Sequence, residues 1–110
     1  MERIANIDHF QAIADPNRRQ ILVLLSKDVL TINALAENFD MSRPAVSKHI
    51  KILSEACFIS IEDKGRERYC ILNQEGFHSL QSWIDYFAEF WKDKLNVFGR
   101  IMDKDQSPSS

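Results

Sequence analysis

Met41-Ser42-Arg43-Pro44-Ala45-Val46-Ser47-Lys48-His49-Ile50-Lys51-Ile52-Leu53 carries the strongest local signals in this chain. Ser42 is a good N-cap, and Pro44 falls in the first helical turn, where a missing N–H costs nothing, so a helix is expected over about Arg43 to Ala56. At 100° per residue from Val46, the residues Ile50, Leu53, Cys57, Ala45, Ala56, Ile52 and His49 fall in one broad apolar arc. Ser47, Lys51, Pro44 and Lys48 occupy the opposite arc. Between Met41 and Lys51 there are three basic residues and no acidic one. The helix is expected to seat its apolar side on a core and present a basic, hydroxylated side outward.

Upstream, Thr31 can cap a short helix carrying Ile32, Leu35, Ala36 and Phe39, and Asp40-Met41 supplies a tight turn before Ser42. Asp15-Pro16 reads as N-cap and first residue of another helix through Leu25, with Ile21, Leu22, Leu24 and Leu25 inward. Before it, Ile4, Ile7, Phe10, Ile13 and Ala14 mark a first amphipathic helix. Downstream, Phe58-Ile59-Ser60-Ile61 and Tyr69-Cys70-Ile71-Leu72 flank a Gly-containing turn at residues 62–66, the pattern of a hairpin. From Asn73 onward, Phe77, Leu80, Ile84, Phe87, Trp91, Leu95 and Phe98 step by three or four, the rhythm of one long helix, with Gly99 as its expected stop. The tail from Asp103 to Ser110 has almost nothing to bury. The expected fold is mainly α with a small β-hairpin: a winged helix-turn-helix of about five helices plus a two-stranded wing. Residues 1–102 would form one DNA-binding and dimerisation domain and 103–110 a flexible tail.

A chain of 110 residues with 45% apolar content is expected to form a single small domain, which excludes a large multidomain enzyme. The formal charge of −2 shows no polybasic signature. It hides a gradient: residues 16–72 carry nine bases and seven acids, while both flanks are acidic. Screening limits each charge to about 10 Å, so the local field rather than the sum governs whether a polyanion docks. No apolar run approaches the ~20 residues of a membrane span, and the N-terminal MERIANIDHFQ has no signal-like core, so a cytoplasmic protein without membrane contact is expected. Cys57 and Cys70 lack CxxC spacing and read as reduced, buried thiols. No glycine-rich phosphate cradle, nucleophile elbow or carboxylate pair is visible, so no enzyme activity, catalytic residue or cofactor is expected.

A short capped helix, a tight turn and a second helix with a basic outer face are what a major-groove reader requires. Its N-terminal N–H groups suit phosphate, Lys48 and Lys51 add charge, and Ser47 can donate or accept at a base edge. Ser42, Arg43 and Pro44 complete the DNA-facing set at the first turn. Arg43 reaches either a phosphate or guanine, an alternative the sequence leaves open. In the hairpin, Lys64, Arg66 and Arg68 stand against Glu62, Asp63 and Glu67, and strand alternation places Arg66 and Arg68 on one face. They can touch DNA backbone or minor groove, or form cross-strand ion pairs worth under about 1 kcal/mol when exposed. His49 lies in the apolar arc and reads as a structural histidine.

Asp15-Pro16-Asn17-Arg18-Arg19-Gln20-Ile21-Leu22, the stretch from Met41 to Leu53, and Gly65-Arg66-Glu67-Arg68-Tyr69 together resemble the ArsR/SmtB family of winged-helix repressors, over about residues 5–98. The resemblance implies a homodimeric transcriptional repressor, paired through its first and last helices and binding an imperfect palindrome of double-stranded DNA. Ile7, Phe10, Trp83, Phe87, Phe90, Trp91, Leu95 and Phe98 are the interface candidates. The aromatic surplus of the last helix points the same way by itself, since so much apolar surface usually marks an interface. Metal sensors of the family carry paired cysteines on the third helix or Asp and His ligands on the last. Here Ile32-Asn33-Ala34-Leu35-Ala36 has no thiol, and Asp85, Glu89 and His78 lack matching spacing, so no metal site is expected. The Trp83…Phe90-Trp91…Leu95 pattern is similar to a subgroup generally without those motifs. Two alternatives stand beside this reading: a repressor released by a metal, by thiol oxidation or by a small molecule, and a winged-helix module that holds another protein with its aromatic helix.

Overall fold

The computed structural model describes residues 8–106, and the side chains of residues 8–96. Helices α1 (His9–Ala12), α2 (Pro16–Leu25), α3 (Ile32–Ala36), α4 (Arg43–Glu55) and α5 (Gln74–Gln106) are accompanied by strands β1 (Leu30–Thr31), β2 (Ile59–Lys64) and β3 (Glu67–Leu72). The architecture is a mainly helical winged helix-turn-helix. Two compact units divide between Leu80 and Gln81. The first holds the sheet, α1 to α4 and the opening of α5; the second holds the rest of α5.

Each helix begins where a short polar side chain can satisfy amides that have no helical partner. Asp15 accepts from the N–H groups of Asn17 and Arg18 at 2.7 and 3.2 Å, Thr31 from Ala34 at 3.0 Å, and Ser42 from Ala45 at 3.3 Å. Pro16 and Pro44 sit in first turns, as expected. Burial pushes the Asp15 carboxyl up, but its two amide donors and the nearby Arg18 guanidinium more than offset this and hold it below the ordinary carboxylate range. Of the first amphipathic stripe, Ile4 and Ile7 lie outside the described residues. Within them, α1 is one turn long, capped by Asp8 through the Phe10 N–H at 3.1 Å.

The core gathers Ile21, Leu22 and Leu25 of α2, Ile32 and Leu35 of α3, Val46, Ile50 and Leu53 of α4, and Phe58, Ile59 and Cys70 beneath the sheet. Leu24, Ala36, Phe39 and Ile52, expected on apolar faces, are half-buried at its margin. The sheet has three strands, in the order β1-β3-β2, and not the two expected. Leu30 and Thr31 pair with Cys70 and Tyr69 on the free edge of β3. A two-residue strand has no periodicity to betray it, and its partner lies far away in sequence. The hairpin is also longer and its loop tighter than expected. Lys64 opposes Glu67, leaving only Gly65 and Arg66 in the turn. Gly65 has φ +63°, the positive value at the first loop position that a two-residue II′ connection demands.

At the C-terminus of α4 the chain reverses through Cys57, a non-glycine residue at φ +66°. The Phe58 N–H reaches the Leu53 carbonyl at 2.9 Å, and the Cys57 N–H reaches Ser54 at 3.0 Å, closing the last carbonyls in a Schellman-like end. The opening of α5 rests directly on this reversal. Asn73 accepts from the Glu75 N–H at 2.9 Å and donates to Ser60 Oγ at 3.0 Å, and the Gly76 N–H donates to the Cys57 carbonyl at 2.7 Å. Phe77 packs edge-on against Phe58 with ring centroids 5.0 Å apart. The helix does not stop at Gly99 but continues to Gln106, into the segment read as tail. One glycine costs a helix interior about 1 kcal/mol, too little to end it.

Arg18 and Arg19 fasten α1 to the body. Arg18 Nε donates to the Ala12 carbonyl at 2.6 Å and its terminal nitrogen to Gln11 at 3.2 Å, while Arg19 donates to Ile13 and Ala14 at 2.9 and 3.0 Å. The carbonyls of Ala12, Ile13 and Ala14 lie at or beyond the end of a one-turn helix, and that of Gln11 also accepts from the Ala14 N–H at 3.2 Å. The remaining Arg18 nitrogen lies 3.1 Å from Nδ1 of His49 on α4. A guanidinium only donates, so Nδ1 accepts and the imidazole proton sits on Nε2. His49 is thus half-buried and hydrogen-bonded, in keeping with its place in the apolar arc.

Gly76→Ala is expected to lower stability by about 1–3 kcal/mol, because the added Cβ would lie 2.8 Å from both the Cys57 carbonyl oxygen and the Phe58 ring. A drop in the thermal midpoint is the readout. A urea-unfolding double-mutant cycle of Arg18→Ala and His49→Ala should give a coupling energy of about 0.5–3 kcal/mol; strict additivity would mean that the contact does not bind α1 and α2 to α4.

Candidate nucleic-acid interface

The burial of Val46, Ile50 and Leu53 orients α4 so that Arg43, Pro44, Lys48 and Lys51 face solvent, with Ser47 half-buried beside them. Ser42 is exposed and engaged as the cap. Beyond the helix, Lys64 ends β2, Arg66 occupies the hairpin turn, and Arg68 lies on β3. Strand alternation had placed Arg66 and Arg68 on one face. Arg66 is in fact a turn residue, and the two come together by another route, described below.

Among the described residues, Arg43, Lys48, Lys51 and Arg66 take part in no hydrogen bond or ion pair through their side chains. Arg68 is different. Its Nε donates to Asp63 Oδ1 at 3.0 Å across the hairpin, and both side chains are more than half exposed, so the pair is worth under about 1 kcal/mol. Lys64 Nζ lies 5.8 Å from the Tyr69 ring centroid, a weak cation–π contact at an exposed site. Four cations without a counter-ion among the described residues leave a positive local field in a chain whose net charge is −2.

Two depressions run between α4 and the sheet. A groove of about 480 Å³ has Ser47, Lys51, Ser54 and Glu55 along α4 and Arg68 across from them, over a floor of isoleucines. A smaller cleft of about 110 Å³ is lined by Thr31, Asn33, Arg43, Arg66, Glu67 and Arg68. It brings together Arg43 of the helix with Arg66 and Arg68 of the wing, residues more than 20 positions apart. Pro44, Lys48 and Lys64 line neither depression. Sequence reasoning missed Thr31, Asn33, Ser54 and Glu55. Ser54 and Glu55 lie seven positions beyond Ser47 and Lys48, two helical turns along the same face, a signal that periodicity offers. Thr31 and Asn33 depend on the β1–β3 pairing, which has no local signature.

On α5, the predicted interface residues Trp83, Phe87, Phe90, Trp91 and Leu95 are all exposed, Trp91 at 57% and Leu95 at 62%. Ring contacts join Trp83 to Phe87 and Phe90 to Trp91, with centroids 4.8 and 5.2 Å apart. Tyr86, 71% exposed, extends the aromatic surface. Phe10 is 40% exposed; Ile7 and the Phe98 side chain lie outside the described residues.

The thiols are poor nucleophiles. Burial pushes Cys57 up, helped by the Glu75 carboxylate beside it, and burial pushes Cys70 up to about 11. Among the described residues, no three His, Cys, Asp or Glu side chains converge as a metal site would need, and no helix is long and apolar enough to cross a membrane.

Known proteins share this layout. A family model described as bacterial regulatory protein, arsR family, matches residues 15–60. The transcriptional repressor SdpR of Bacillus subtilis is 40% identical over 75 residues, covering 68% of this chain and 83% of the relative. The HTH-type transcriptional regulator Rv2034 of Mycobacterium tuberculosis is 32% identical over 96 residues, 87% of each chain. The crystal structure of the ArsR family transcriptional regulator RHA00566 is 38% identical and superimposes with a TM-score of 0.72, covering 76% of this chain and 92% of that one. With residues 15–60 matched by the family model and 68–87% of its length matched in these relatives, this chain belongs to the ArsR family of bacterial regulatory proteins.

Proposed function

We propose that this protein is a dimeric, sequence-specific DNA-binding transcriptional repressor that acts in the cytoplasm. The row of Arg43, Lys48 and Lys51, without an ion-pair partner among the described residues and on a helix whose other side is locked into the core, carries the reading. In it, α4 enters the major groove, with Ser47 and Lys48 toward the base edges, and Ser42, Arg43, Pro44 and Lys51 along the backbone side. The wing, through Lys64, Arg66 and Arg68, lies on the adjoining backbone. The relative SdpR is itself named a transcriptional repressor, which supports repression over activation. In a family of regulators the chain is not an enzyme.

The aromatic face of α5 supports the dimer. Trp91, Phe90 and Leu95 stand exposed in the single chain, and covering such side chains is worth about 1.5–3 kcal/mol each. A two-fold pair of recognition helices would meet half-sites about one helical turn apart, hence an imperfect palindrome.

Lys48→Glu should weaken binding to the DNA upstream of the protein's own gene by about 100-fold or more, with fold and oligomeric state intact, since an acidic side chain brought into the groove of a polyanion costs several kcal/mol. Gel retardation and circular dichroism read the two arms; undiminished binding would remove Lys48 from the site. Trp91→Lys should convert the dimer to monomer in sedimentation velocity while leaving the thermal unfolding of the first unit in place. A dimer that persists would move the interface away from this face.

A further inference from the structure

We propose that the small cleft between the start of α4, the β1–α3 junction and the hairpin is a seat for one backbone phosphate of the bound duplex, gripped at once by Arg43, Arg66 and Arg68. This rests on the reading that duplex DNA is the ligand, and it assigns Arg43 to phosphate where the sequence left phosphate and guanine open.

Three arginines from two separate parts of the chain line one cleft of about 110 Å³, and Glu67 is the only acidic residue of its wall among the described residues. Like charges brought this close repel, and two of the three, Arg43 and Arg66, have no anionic partner among the described residues. Arg68 shares its charge with Asp63 through one nitrogen, which leaves its other N–H groups free to donate. An anion seated among them would offset that repulsion. The space is far below the ~300–1,000 Å³ of pockets that enclose larger organic ligands and suits a single small oxyanion. Guanidinium and phosphate match in bidentate geometry, and several donors converging on one phosphate are what a tetrahedral oxyanion accepts. Thr31 and Asn33 add neutral donors to the wall: the Thr31 hydroxyl oxygen accepts from the Ala34 N–H, so its own hydrogen stays available.

A phosphate here would tie the helix to the wing. An arginine reading guanine must instead extend away from its own protein toward a base edge, whereas Arg43 lines a cleft closed on its far side by the hairpin. Base reading then falls to Ser47 and Lys48.

The test uses the full-length protein in two arms. In the first, inorganic phosphate is titrated into the DNA-free protein and the arginine Nε–Hε resonances are followed by NMR. Saturable shifts at Arg43, Arg66 and Arg68 together are expected, and shifts absent from these three overturn the proposal. In the second, Arg43→Gln and Arg66→Gln, both at exposed positions, are compared with the parent on the upstream duplex and on an unrelated duplex of equal length. Each should lose about tenfold on both duplexes alike, and the slope of log affinity against log salt should fall by about one per arginine. If Arg43→Gln alters discrimination at one base pair and leaves the salt slope unchanged, Arg43 reads a base and the proposal fails while the repressor reading survives. If the parent protein binds neither duplex yet phosphate still shifts the three arginines, the ligand is a free phosphate compound, and both the duplex seat and the repressor reading are overturned.

Discussion

Val46, Ile50 and Leu53 are almost wholly buried, and everything this protein presents to the outside from α4 follows from that burial. Each side chain taken from water contributes about 1.5–3 kcal/mol, so rotating the helix to hide a lysine instead would cost more than any surface ion pair could return. The orientation of α4 is thus determined by its apolar arc. Arg43, Lys48 and Lys51 are left facing solvent without counter-ions among the described residues, a modest electrostatic cost that a polyanion can recover.

The connections around this helix are polar and local in energy but not in sequence. Arg18 spends one guanidinium on two carbonyls at the end of α1 and on His49 of α4, so that the start of the chain and the recognition helix share a fastening point. At the C-terminal end of α4, the Cys57 reversal, the Gly76 amide and the Phe58 ring seat the opening of α5 on the turn that ends this helix. The middle of α4 and its C-terminal end are thereby held by elements outside the helix-turn-helix itself. This gives the arrangement the rigidity on which a base-reading surface depends.

The two thiols illustrate how position overrides residue type. Cys70 lies in the central strand with burial pushing it up to about 11, and Cys57 occupies a left-handed turn beside a carboxylate. Neither environment stabilises a thiolate, so neither has the electropositive, accessible surroundings that redox-sensing cysteines have. Triggers that act through thiolate chemistry therefore find little purchase in the described residues.

Local chemistry made much of this molecule legible without coordinates. Asp15, Thr31 and Ser42 cap helices where their side chains predict, Pro16 and Pro44 sit in first turns, and the apolar arc of α4 is the buried one, because caps and periodicity depend on residues within a turn or two. Exposure of the α5 aromatics was foreseeable from their number in so short a chain. What needed the folded chain is every feature made by residues distant in sequence: β1 on the edge of β3, the Arg18–His49 contact, and the cleft where Arg43 meets Arg66 and Arg68. Gly99 misled for a related reason, since a weak local penalty of about 1 kcal/mol says nothing of the hydrogen bonds on either side that carry the helix through it. Short-range preferences are written in neighbouring residues, whereas juxtaposition across the fold arises only when the core closes and brings separate segments into one place.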